Sequence, residues 1–78
     1  HDLQENLKIK SLVKIYESMK PKDAARIFGE LDINTLLKVA ERMKEKKLAP
    51  IMAKMNPDRA KEMTVALSKL RNLPIPGT

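Results

Sequence analysis

Apolar residues recur along this chain with a period of twelve. Leu7, Met19, Leu31, Met43, Met55 and Leu67 form one column at that spacing. Leu12, Ala24, Leu36, Leu48 and Ala60 form a second column, and Ile15, Ile27, Val39, Ile51 and Met63 a third. The fifth residue of each copy is polar instead: Ser11, Asp23, Thr35, Lys47 and Arg59. Within one copy the apolar residues follow the i, i+3, i+4, i+7 spacing of a single helix face. Twelve residues at about 100° each overshoot whole turns by about 120°. One unbroken helix would therefore rotate the columns away from each other. The chain must turn between copies, which predicts a stack of short helices.

Turn signals stand where this requires them. Pro21 and Pro57 hold the same place in their copies, and proline suits the first turn of a helix. Asn56 and Asp32 are good N-caps, while Lys20 is a poor one that Asp23 in the first turn partly offsets. The pattern predicts five helices, over 3–18, 21–29, 33–43, 45–54 and 57–71. Gly29 is read as a helix terminator. Pro50 falls inside the fourth helix, where it removes a hydrogen bond and crowds the preceding turn. The sequence favours a late start near Leu48 over a kink. The expected class is all-α: a right-handed, solenoid-like superhelix of about five short helices. Residues 1–11 read as the end of an upstream helix or stalk and 12–71 as the helical domain. Residues 72–78, with Pro74, Pro76 and Gly77, read as an extended tail.

Composition narrows the chemistry. The chain has 78 residues, enough for one small domain. Tyr16 and Phe28 are its only aromatics, so the core is aliphatic and Met-rich. These two rings share a repeat column and are expected to pack on each other. Met19, Met43 and Met55 are expected in the core for the same reason, although Met can also line a groove for a partner. The absence of cysteine excludes disulfides, thiol catalysis and thiolate metal sites. The single histidine is His1, best read as a terminal leftover, so a hydrolytic triad has no base. The two glycines, Gly29 and Gly77, make no phosphate loop. The carboxylate pairs Glu30 with Asp32 and Glu41 with Glu45 lie among lysines and arginines. Ion pairs such as Glu41 with Lys38 or Lys44 explain them better than a hard-metal site does. No enzyme, cofactor or metal is expected.

The net charge of +6 favours anionic partners in general. The basic residues are spread along the chain, and no aromatics are placed to stack on single strands, so nucleic acid is not expected. Positions that the core does not need are the candidate contacts with a protein partner: Lys44, Lys46 and Lys47 at the third turn, and Arg59 and Lys61 on the last helix.

The stretches "YESMKPKDAARIFGELD" and "LAPIMAKMNPDRAKEMT" resemble the N-terminal domain family of MgtE magnesium transporters. They resemble more closely the MotE-like motility proteins that carry this domain. The resemblance covers roughly residues 12–70, and its strongest elements are the M-x-P-x-x-A phrases at Met19–Ala24 and Met55–Ala60. It implies the superhelical fold. In its MotE-like form it further implies a periplasmic module tethered to the inner membrane by a segment upstream of residue 1. That module would support the flagellar motor as chaperone or partner of a stator component, and could dimerise through an upstream coiled coil. Leu3 and Leu7 fit the end of such a stalk. The alternative is a cytosolic magnesium-sensing domain of an MgtE-type transporter. Lys20, Lys22, Lys44, Lys46 and Lys47 stand where such a sensor would want carboxylates, so no metal site is carried over. Reversing the charge of Lys46 and Lys47 is expected to weaken partner binding without unfolding the domain; unchanged affinity would remove that patch from consideration.

Overall fold

The computed structural model describes residues 2–70, with side chains from residue 3 onward. The expectations for His1, for residue 71 and for the tail lie outside the described residues. Five helices follow one another: α1 Asp2–Ser18, α2 Pro21–Phe28, α3 Ile33–Ala40, α4 Glu45–Lys54 and α5 Pro57–Leu70. No strand occurs among the described residues. Helices pack on the element two further along: α1 on α3, α2 on α4 and α3 on α5. α1 runs through residue 11 without a break, and its Ile9 and Val13 belong to the core.

The period of twelve is the period of the helix starts. Lys20, Asp32 and Lys44 are N-caps in extended backbone, with ψ of 138°, 149° and 137°. Asn56 does the same work for α5, since its Oδ1 accepts from the N–H groups of Asp58 and Arg59 at 2.9 and 3.3 Å. The carbonyl of each cap accepts the first helical hydrogen bond. The donors are Ala24, Leu36, Leu48 and Ala60, at 3.1, 3.0, 2.9 and 2.9 Å. The residue before each cap closes the previous helix. Met19, Met43 and Met55 donate N–H bonds three residues back, and Leu31 four residues back. The first two apolar columns are thus the N′ and N4 positions of four hydrophobic staples, which fix the angle at which the chain enters each helix. The third column lies at N7, three residues further along the same face.

Burial grades along each column. In the third, Ile15 is 54% exposed, whereas Val39, Ile51 and Met63 are buried. The first column runs from Leu7, 56% exposed, to Met43, Met55 and Leu67, all buried. In the first copy Leu7 and Ile15 face solvent, whereas Leu12 packs against the core. Phe28 is fully buried, and Tyr16 meets it edge to face with centroids 5.0 Å apart. Ala24, Ala25 and Ala40 are buried where helices must approach closely.

Two local expectations are corrected, and α3 is the first: it ends at Ala40, not at residue 43. α4 does not start late: it begins at Glu45 and runs through Pro50. Its start is set by Met43 and Leu48, both buried, around the Lys44 cap. Pro50 is exposed, so the Lys46 carbonyl that loses its i+4 donor faces water, which lowers the cost of the missing bond. Gly29 does end α2, but with φ of −68° in the right-handed region. Its N–H bonds to the Ala25 carbonyl at 3.0 Å, so the helix end does not depend on glycine's access to positive φ.

Truncating the ring that joins α1 to α2 should be costly. Phe28→Ala is expected to destabilise the domain by about 3–5 kcal/mol. A chain of this size has a stability on the order of 4–12 kcal/mol. Urea unfolding followed by circular dichroism checks this; a loss under about 1 kcal/mol would show that the aromatic pair is peripheral.

Candidate interaction surface

Ion pairs and capping bonds account for many of the acidic groups within the fold. Glu5 of α1 accepts a 2.8 Å bond from Lys38 of α3. Next to it, Asn6 Oδ1 accepts from the Arg42 guanidinium at 3.0 Å. Glu17, in the last turn of α1, accepts the Lys44 N–H at 2.9 Å and so stands at the positive end of α4. Asp32 caps α3 through the Thr35 N–H at 3.0 Å. Asp23 lies 3.9 Å from Arg26, and Glu62 3.1 Å from Arg59. Lys38 pairs with Glu5 because α1 and α3 pack together and bring the two side chains within reach. The three ties between helices join residues 27 to 36 positions apart, beyond the reach of any helix-face spacing.

The five candidate contact residues divide into two groups. Lys44, Lys46, Lys47 and Lys61 are exposed. Lys44 is the N-cap of α4, with Lys46 and Lys47 in the following turn and Lys61 on α5. None of these four ammonium groups has an ion pair among the described residues. Arg59 is different: its side chain is only 19% exposed. The guanidinium donates to Glu62 and to the Leu31 carbonyl, while its Nε has no partner. It therefore ties α5 to the turn before α3, and its contact role gives way to a structural one. The sequence carried a hint, because Arg59 occupies the repeat position that elsewhere sits in the first turn of a helix.

No group of three or more His, Cys, Asp or Glu able to hold a metal occurs among the described residues. No helix in that range is long and apolar enough to cross a membrane. The cleft beside α1, lined by Glu5, Lys8, Ile9, Leu12, Thr35 and Lys38, is a shallow seam between α1 and α3 whose central charges neutralise each other.

A family model described as the MgtE intracellular N domain matches residues 1–73. The chain belongs to that family. The match does not single out the MotE-like motility proteins. No curated protein matches the chain, and no solved structure does.

The titrating groups lie in the cross-helix and capping bonds. The hydrogen bond from Lys38, then its charge, holds the Glu5 carboxyl below its ordinary range. The same bond raises Lys38. The backbone N–H of Thr35 lowers Asp32. A carboxylate lowered by folding contributes stability above its unfolded value, and that contribution is lost as pH falls through its folded value. Stability should therefore hold down to the ordinary carboxylate range, about pH 4, and decline below it. The raised lysine contributes fully below its unfolded value, about 10.4, and loses that contribution only above it. Urea midpoints across this range check the sign. Glu5→Gln should flatten part of the acid limb, and an unchanged limb would show that the Glu5–Lys38 bond carries none of it. Arg59→Ala should cost about 1–3 kcal/mol, whereas Lys46→Glu should stay within about 0.5 kcal/mol.

Proposed function

We propose that this MgtE intracellular N domain is a non-enzymatic regulatory module of an MgtE-type transporter, acting through contact with a protein surface. The observation that carries the reading is the family match over residues 1–73. The geometry supports contact over ligation. The carboxylates that pair or cap are tied to helix ends and cross-helix bonds, while exposed ammonium groups crowd the start of α4. Like charges would repel a divalent ion there. The domain then responds to magnesium through the surface it docks on, with its own residues supplying the basic side of the contact.

A second reading keeps the motility role. Leu3 and Leu7 stand on α1 at 69% and 56% exposure, one turn apart, as a stalk continuing upstream would leave them. Under this reading the domain is a periplasmic partner or chaperone of a flagellar stator component, anchored through a segment upstream and dimerised by that stalk.

Three measurements bear on these readings. Removing the domain from the parent transporter should change the magnesium dependence of ion uptake; an identical dependence would contradict the regulatory reading. Titrating the chain with magnesium while following its amide signals should give only weak, diffuse shifts. Saturable shifts clustered on one site at millimolar magnesium would instead show direct sensing. Retention of motor components on the tagged domain, with and without chelator, would favour the motility reading.

A further inference from the structure

The outer face of α4 combines three features found together on no other helix here. Lys46, Lys47 and Lys54 are exposed, and none has an ion pair among the described residues. Between them lie Ala49, Pro50 and Ala53, also exposed. On the helix, Lys47, Pro50 and Lys54 follow i, i+3, i+7 and make one row. Lys46, Ala49 and Ala53 make the adjacent row by the same spacing. Leu48, Ile51 and Met55 take the opposite face into the core. The only acid on α4 is Glu45, at its first position. Pro50 has no N–H, so the Lys46 carbonyl on this face lacks its i+4 donor. At the start of α2, the helix packed against α4, the exposed Lys20 and Lys22 carry the same sign of charge, while Arg26 lies 3.9 Å from Asp23.

We infer that this face is a docking surface for an acidic α-helix of a protein partner. The inference rests on the interaction-module reading and names its contact surface and the chemistry of its partner. Charge complementarity selects the occupant: three ammonium groups frame a floor of side chains no larger than proline. Small floor residues let a second helix axis approach closely, since the side chains at the contact set the interaxial distance. Carboxylates one turn apart on that helix then reach Lys46, Lys47 and Lys54. A membrane surface fits the face less well, because an interfacial helix needs bulky apolar residues beside its lysines, and this face has only Ala and Pro. A single helix on this face makes a small contact, so the expected affinity is weak, with Kd on the order of 10 µM to 1 mM.

The test uses the isotope-labelled chain and a 15-residue helical peptide carrying Glu at i, i+3, i+4 and i+7 with Ala elsewhere. Amide shifts should saturate and map to residues 46–54. The triple variant K46E/K47E/K54E should weaken binding at least about tenfold. Ala49→Trp keeps the charge but blocks close approach, and should weaken it about fivefold. Circular dichroism on each variant keeps folding separate from binding. Shifts that are absent, or that map to another face, would overturn the inference. So would full affinity in Ala49→Trp, which would mean diffuse attraction with no helix docked. Phosphatidylglycerol vesicles that perturb α4 where the peptide does not would reassign the face to lipid. The triple variant is also placed in the parent protein beside a domain deletion. If deletion alters regulation and the triple variant does not, the α4 surface alone is wrong. If deletion changes nothing, the module reading itself fails.

Discussion

The structure depends on one bond made four times. At residues 20, 32 and 44 the chain passes through extended backbone, and there and at residue 56 the cap carbonyl accepts a hydrogen bond from the amide four residues on, in the next helix. The amide just before it closes the helix that came before. Termination and initiation thus occur within two to four residues, and a helix end is left with few unsatisfied groups. Because the apolar residues at N′, N4 and N7 are locked to this cap, every helix presents the same face at the same distance from its start. Packing of each helix on the one two further along follows from that repetition. Such an arrangement is local in sequence, so each copy needs little beyond its neighbours to find its place.

The repeating part of the fold was legible because it is written in residue type. Proline and a capping oxygen announce a start, and apolar spacing announces a face. What the sequence hid is written in distance. Glu5 with Lys38, Asn6 with Arg42 and Glu17 with the Lys44 amide join α1 to the segment from α3 to α4, and no helix-face spacing links residues so far apart. Pro50 misled for a related reason. Its local cost is real, but the start of α4 is set by Met43, Leu48 and a carboxylate from another helix, and water can solvate the carbonyl that Pro50 frees. Arg59 looked like a surface charge by type, and its burial follows from the Leu31 carbonyl that lies within its reach.

The same accounting bears on the candidate surface. Sequence order placed Lys44, Lys46 and Lys47 at one turn, which the structure keeps, but it could not say which of the chain's charges find partners. The fold draws carboxylates into caps and cross-helix pairs and leaves α4 with unpaired ammonium groups around small side chains. A net charge of +6 spread along a chain therefore becomes a local basic face through the consumption of acids elsewhere. Leu3 and Leu7 remain exposed on α1, one turn apart.

Amide hydrogen exchange, read residue by residue, tests the central claim most directly. If the cap carbonyls start the helices, the amides of Ala24, Leu36, Leu48 and Ala60 are protected, each by the cap carbonyl four residues before it. Protection should be greatest at Leu36 and Leu48, in the middle of the stack. Rapid exchange at Leu48, with protection beginning only beyond Pro50, would contradict a start set by the cap, and with it the identity of the twelve-residue period and the helix starts.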